Sequence, residues 1–325
     1  MQVVSQSNLP NPFYLGVQEL TFPVKMLPVR ADVYHAVSQQ ISKAAVLTMK
    51  RPLVTTIHDL IPFKDSLTAF YQDKGVSGDS IRFRYMRFCT LIAAKSDLII
   101  APFEVTRKDI VSKLNVSAKR IRLISYGVDT KIFKPFRLTT GEDAVKRGKR
   151  IVFFVGGFNP RKGIDKLMEA FQGVAKEQPN VELWICGKWN LFNGWALAKK
   201  LGILNKIKVL GHVPEDLLPL YYNLADLVVL PYRIGFSLPV LEAMACGKAV
   251  ITSDTPDLKE IVGGFVKTVC PIDVEKLRES ISYILSNNSV RDDLAERAYC
   301  KAQLLSWDSM AKKTVEVYRE LYSKL

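Results

Sequence analysis

Residues 235–251, Gly-Phe-Ser-Leu-Pro-Val-Leu-Glu-Ala-Met-Ala-Cys-Gly-Lys-Ala-Val-Ile, hold the densest chemical information in the chain. Gly235 supplies a tight turn, and a helix starts near Ser237 and stops at Gly247, just before an apolar strand over Ala249–Ile251. A helix N-terminus offers unpaired backbone N–H groups and partial positive charge, which suits a phosphate. Glu242, about one turn further in, can accept two hydroxyls of a ribose. The combination reads as a pocket for a nucleoside diphosphate.

A second stretch has matching chemistry. Val155-Gly156-Gly157-Phe158-Asn159-Pro160-Arg161-Lys162-Gly163 follows a predicted strand and leads into a helix. Its glycines allow a tight turn, and Arg161 and Lys162 can meet diphosphate oxygens. His58 and Asp59 end another strand, in Thr56-Ile57-His58-Asp59-Leu60-Ile61-Pro62, and His35 ends a third, in Tyr34-His35-Ala36. Strand-terminal residues at one sheet edge are where active sites form in open α/β folds. Each group also has a plainer reading. The basic residues could be solvated, Glu242 an exposed helical carboxylate, and His58 a histidine satisfied by nearby backbone. His212, in Gly211-His212-Val213-Pro214, reads as shaping a turn.

The elements that would position these residues alternate throughout. In the first half, strands are expected at Asp32–Ala36, Leu53–Ile57, Asp97–Ala101 and Ile121–Ile124, with helices over Ser38–Lys50, Asp79–Lys95 and Phe103–Leu114. In the second half, strands at Ile151–Val155, Val181–Ile185, Ile207–Leu210, Leu227–Leu230, Ala249–Ile251 and Phe265–Val269 alternate with helices near 163–176, 194–201, 214–223, 238–245 and 256–262. Helices near 274–285 and 290–304 follow, and Ser306–Leu325 reads as a final amphipathic helix that could dock across both domains. Such alternation predicts α/β architecture with parallel sheets. The polar, aperiodic stretch Lys134–Arg150 reads as a linker. The expected domains are 1–149 (basic), 150–305 and the helix 306–325. Two doubly wound domains in series would face each other across a cleft, and that is where their ligands would bind. Of residues 1–30, only Gln2–Ser5 suggests a strand.

Composition narrows the class. A chain of 325 residues that is 48% hydrophobic and 24% charged suits two soluble domains of about 150 residues each. It has no apolar run of about 20 residues and no secretory pattern. Its five cysteines are scattered without Cys-x-x-Cys spacing, which favours reduced thiols, a cytoplasmic location and no metal site. The net charge of +14 is uneven. Residues 1–149 carry 23 Lys/Arg against 12 Asp/Glu, whereas residues 150–325 carry 23 against 20. The basic half is either a solubility surface or an attraction to something anionic. In the helix 79–95, Arg82, Arg84, Arg87 and Lys95 interleave with Phe83, Tyr85, Met86 and Phe88. The apolar side can be core with the charges solvated, or the helix can touch an anionic membrane peripherally, at its cytoplasmic face. With no recognised nucleic-acid motif, no nucleic-acid partner is expected.

The motifs taken in series resemble those of family 4 retaining glycosyltransferases of GT-B fold (glycosyl transferases group 1). They are Asp32-Val33-Tyr34-His35-Ala36, the His58 segment, Ser96-Asp97-Leu98-Ile99-Ile100-Ala101, Tyr126-Gly127-Val128-Asp129 with Phe133-Lys134-Pro135, the Arg161-Lys162-Gly163 turn, the His212 segment and residues 235–251. The resemblance implies two Rossmann-like domains and transfer of a mannose- or glucose-type hexose. The donor would be a nucleoside-diphosphate sugar and the acceptor a glycan or lipid-linked molecule, with retention and without metal or other cofactor. It implies that Glu242 binds the ribose and Lys162 the diphosphate, that the amides around Phe236–Leu238 hold the distal phosphate, and that His58 stands beside the transferred sugar. With Gly156, Gly157, Arg161, Gly187, His212, Arg233, Ile234 and Gly235, these complete the donor side; His35, His58 and Asp59 form the acceptor side.

The chain also departs from the pattern. Ile234 stands where the family's first glutamate of Glu-x7-Glu belongs, and Gly157 replaces a frequent arginine, for which Arg161 or Arg233 could substitute. The usual first strand and glycine-rich loop of the acceptor domain are missing or rewritten. Two alternatives therefore stand beside the transferase: a catalytically weak or silent nucleotide-sugar-binding homologue, and another GT-B enzyme such as a nucleotide-sugar epimerase.

Overall fold

The computed structural model describes residues 24–63, 81–141, 145–146, 148–189 and 191–324, so the expected strand Gln2–Ser5 and the start of the helix expected from Asp79 lie outside the described residues. The chain forms two compact units. One contains the described residues up to Ser125 together with those from Ala311 onward, and the other runs from Tyr126 to Met310.

In the first unit, β1 (Tyr34–Ala36), α1 (Gln39–Leu47), β2 (Leu53–Thr56), α2 (Ile81–Ala93), β3 (Leu98–Ala101), α3 (Glu104–Leu114) and β4 (Ile121–Leu123) build a parallel sheet in the order β1-β2-β3-β4. Strands β2 and β3 are buried along their whole length, as parallel strands covered on both faces must be. Helix α1 ends earlier than its apolar pattern suggests. Thr48 turns its hydroxyl back onto the Ala44 carbonyl at 2.7 Å, and Met49 adopts a left-handed φ of 52°.

The second unit is a six-stranded parallel sheet. Its elements are β5 (Arg150–Val155), α4 (Ile164–Glu177), β6 (Val181–Cys186), α5 (Leu191–Lys200), β7 (Ile207–Gly211), α6 (Leu218–Leu224), β8 (Leu227–Leu230), α7 (Leu238–Ala245), β9 (Val250–Ser253), α8 (Pro256–Val262), β10 (Lys267–Val269), α9 (Val274–Ser286) and α10 (Asn288–Leu304). Helix α11 (Trp307–Tyr322) follows, and from Ala311 on it counts with the first unit. The strand order β10-β9-β8-β5-β6-β7 is that of a doubly wound Rossmann sheet, with the winding reversing between β5 and β8. The apolar runs Ile151–Phe154 and Leu227–Leu230 are wholly buried at its centre.

Some local expectations shift. The helix expected from Pro214 begins at Leu218, because Pro214 first closes a turn in which the Leu217 and Leu218 amides bond its carbonyl. The strand expected from Phe265 begins at Lys267, after Gly264 takes a positive φ. The start of the stretch expected to be a linker is packed. Asn223 donates to the Lys134 carbonyl at 3.0 Å and accepts from the Phe136 amide at 3.2 Å, while Phe133 is buried edge-on against Tyr222. The change from one unit to the other falls at Ser125/Tyr126 instead. Among the described residues, no helix is long and apolar enough to cross a membrane.

Candidate functional site

The reversal of winding between β5 and β8 leaves a crevice at the carboxyl ends of these strands, the position at which doubly wound sheets bind ligands. Both informative segments lie there. After β5 the chain turns at Gly156 and Gly157, whose amides both donate to the Cys186 carbonyl at 2.9 Å. Their φ values of 151° and 64° are accessible to glycine at little cost. A Cβ on Gly157 would lie 2.3 Å from the Lys188 carbonyl oxygen, and one on Gly187 would lie 2.5 Å from the Gly157 nitrogen, so an arginine at 157 does not fit this backbone.

Lys162 folds back over Gly156, where an added Cβ would stand 2.4 Å from its Cδ, and its ammonium lies 5.2 Å from the centroid of the Tyr232 ring. Tyr232 is held by a 2.6 Å hydrogen bond to the Val155 carbonyl. Burial, then the neighbouring Arg161 charge, lowers the Lys162 pKa, while Glu242 opposes the shift. A half-desolvated ammonium of this kind gains from an anion.

Helix α7 carries the other half. Gly235, with φ 79°, turns the chain into Ser237, which is 1% exposed and starts the helix in an extended conformation without a side-chain cap bond. Glu242 is half-buried and accepts a 2.7 Å hydrogen bond from the fully buried Tyr222 hydroxyl. Burial raises the Glu242 pKa; the Tyr222 bond and the Lys162 charge act against it, while Glu215 adds to it. Lys162 and Glu242 therefore sense each other's charge, and the crevice between β5 and β8 combines an ammonium, a helix N-terminus and a carboxylate oriented by a tyrosine.

The remaining second-unit residues fall at the same sheet edge with different duties. Arg233 is tied to Asp165 of α4 at 2.8 Å, its side chain only 11% exposed, and its amide donates to the Arg161 carbonyl. Its guanidinium therefore braces the loop after β8. Ile234 is buried and apolar, and Phe236 stacks on Tyr126 at 5.3 Å. Arg161 lies in the short turn Pro160–Lys162, and its amide donates to Asn159 Oδ1 at 3.0 Å. His212 is exposed after β7, behind Gly211, whose carbonyl accepts from the Gly187 amide at 2.6 Å.

In the first unit, His58 follows β2. Its ring Nε2 lies 2.8 Å from the Val37 carbonyl, and its backbone is bracketed by Gln39, which accepts from the His58 amide and donates to the Asp59 carbonyl. Asp59 Oδ1 accepts from the Ile61 amide at 3.0 Å and shapes the turn that follows. Both ring nitrogens of His35 are engaged, Nδ1 with Tyr318 at 2.6 Å and Nε2 with Thr56 at 2.9 Å. Burial, then the nearby His58, lowers its pKa to about 4.

Residues 140–301 match the family described as Glycosyl transferases group 1, and residues 9–132 match Glycosyltransferase Family 4. The chain belongs to the family 4 glycosyltransferases. This glycosyltransferase chain is 29% identical over 290 residues to the O-antigen chain mannosyltransferase B of Escherichia coli, covering 82% of this chain and 70% of that protein. Among solved structures, sucrose-phosphate synthase from Thermosynechococcus elongatus aligns with a TM-score of 0.77 at 21% identity, over 96% of this chain and 79% of that one. Anabaena HepE in complex with UDP and glucose aligns with the same TM-score at 18% identity, over 95% and 83%. Superpositions of this extent establish the GT-B fold.

Sequence reasoning did not single out Tyr222, Tyr232 or Asp165. Each acts through a partner far along the chain, and a lone Tyr or Asp in an amphipathic stretch has no pattern that names its partner.

Proposed function

We propose that this glycosyltransferase moves a mannose- or glucose-type hexose from a nucleoside-diphosphate sugar to a glycan or lipid-linked acceptor, with retention and without a metal ion. The observation that carries this proposal is the convergence of Lys162, the α7 N-terminus and Glu242 at the β5/β8 crevice. Lys162 and the helix dipole stabilise the negative charge that grows on the diphosphate as the sugar C1–O bond breaks. Arg161 adds positive charge beside them. Protein cations then do the work that a metal does in other transferases. Glu242 accepts the ribose hydroxyls, and the Tyr222 bond to one of its oxygens orients the carboxylate while leaving both oxygens with lone pairs to accept. His58 serves the acceptor and the transferred sugar, by its correspondence with the family's histidine. The mannosyltransferase relative and the UDP and glucose bound to HepE support a nucleotide-sugar donor.

The acceptor can be approached at a membrane surface. Arg84, Phe88, Leu91 and Lys95 are all exposed and share one face of α2 and its continuation, with Phe88 54% and Leu91 50% exposed. Two apolar side chains between two cations suit an anionic lipid surface.

A second reading, a silent nucleotide-sugar-binding homologue, is favoured by the buried Ile234 at the position of a family glutamate. One experiment separates the two: nucleotide release from a panel of nucleoside-diphosphate sugars, in chelator, with wild type and the Lys162→Ala and Glu242→Ala variants. Turnover that persists in chelator and is lost in both variants supports the transferase. Donor binding without any turnover supports the silent homologue.

A further inference from the structure

The first unit holds His58 through a chain of contacts that begins on the last helix. Tyr318 of α11 places its hydroxyl 2.6 Å from His35 Nδ1, with the two rings edge-on at 5.5 Å. The other nitrogen of His35 reaches Thr56 Oγ1 at 2.9 Å, tying the carboxyl end of β1 to that of β2. Two residues beyond His35, the Val37 carbonyl meets His58 Nε2, and His58 itself lies two residues beyond Thr56. The His35–Thr56 bond and the Val37–His58 bond are thus successive rungs between the same two strand ends. Gln39, 3% exposed, adds a third by bracketing the His58 backbone.

Hydrogen-bond chemistry gives this ladder a direction. A carbonyl only accepts, so the Val37 bond requires the proton of neutral His58 to sit on Nε2. His35 is neutral near pH 7, so one of its nitrogens donates and the other accepts. If the Tyr318 hydroxyl is removed, His35 Nδ1 is left without its bond in a half-buried site. The ring can then turn or change tautomer, and the rung beside His58 moves with it.

We propose that Tyr318 is a positioning residue for His58, acting through His35 and the Val37 carbonyl to hold the His58 ring in its Nε2-protonated orientation. This rests on the assignment of His58 to the transfer step. No sequence pattern indicates it, because Tyr318 and His35 are 283 positions apart.

The test compares the wild-type chain with Tyr318→Phe, following His58 by ring nitrogen NMR and sugar transfer by steady-state kinetics. Glu320→Gln serves as the control, because Glu320 docks the same helix through Arg122 without touching His35. The expected result for Tyr318→Phe is loss of the fixed Nε2-protonated signature of His58, with kcat falling about tenfold and donor KM changing less than about twofold. Glu320→Gln should leave the His58 signals in place. Unchanged His58 signals in Tyr318→Phe overturn the proposal, as does an equal change in Glu320→Gln, which would mean general loosening of α11. A shifted His58 signature with unchanged kcat upholds the positioning and overturns the assignment of His58 to the transfer step.

Discussion

Glu242 shows how one residue is set by the groups around it. Burial raises its pKa, and the Tyr222 hydroxyl bond is the largest effect opposing that rise. Only the ionised form is an acceptor at both oxygens, which pairing with two ribose hydroxyls requires. If Glu242 binds the ribose as proposed, nucleotide binding should be present above its folded pKa and lost as pH falls through it. Replacing Tyr222 by Phe removes the bond that favours the carboxylate, raises the pKa further and moves the acidic limb of binding to higher pH. Calorimetric titration of a nucleoside diphosphate from about pH 4 to 7 checks this, and coincident limbs in wild type and Tyr222→Phe would refute it. Glu242 and Lys162 were legible in the sequence because each sits beside a glycine turn or a helix start. Arg233 read alone is a cation next to the glycine turn, and only the fold reveals Asp165 as a partner.

The elements meet at the carboxyl edge of the second sheet through glycine contacts as much as through side chains. Gly163 begins α4 with φ 70°, and a Cβ there would stand 2.0 Å from the Pro231 carbonyl oxygen at the end of β8. This backbone contact joins the start of α4 to the residue after β8, beside the point where the winding reverses. Gly163→Ala should therefore cost about 3 kcal/mol or more, combining a left-handed backbone with a steric clash. Gly202 is the natural comparison: its φ is 67°, but nothing lies within 4 Å of where a Cβ would stand, so Gly202→Ala should cost only about 1 kcal/mol. Urea unfolding of both variants measures the difference, and equal losses would show that the Pro231 contact is not what matters. Strands and helices were largely legible because parallel strands covered on both faces are continuous apolar runs. Their ends were less so. The early stop of α1 rests on the positive φ of Met49, and the late start of α6 rests on a turn closed by Pro214. Local hydrogen bonding decides such ends, and apolar periodicity does not record it.

For the molecule as a whole, charge is the property that reaches furthest. The excess of Lys and Arg lies in residues 1–149, and the exposed face of α2 interleaves cations with Phe88 and Leu91. Wild-type protein should sediment with phosphatidylglycerol vesicles at low ionic strength and be released by salt. A Phe88→Ser/Leu91→Ser variant should bind more weakly at every salt concentration. Equal binding to neutral phosphatidylcholine vesicles, or none to either, would remove membrane contact from the functional reading.

By itself the sequence determined the alternation of strands and helices, the glycine turns and the acidic and basic residues beside them, because each is a local pattern of side-chain size, charge or backbone freedom. The family follows from those motifs in series. Only the tertiary structure decided which residues pair: Tyr222 with Glu242, Arg233 with Asp165, and Tyr318 with His35. Such pairs are made when distant segments pack, so their geometry belongs to the folded chain and leaves no periodic trace along it.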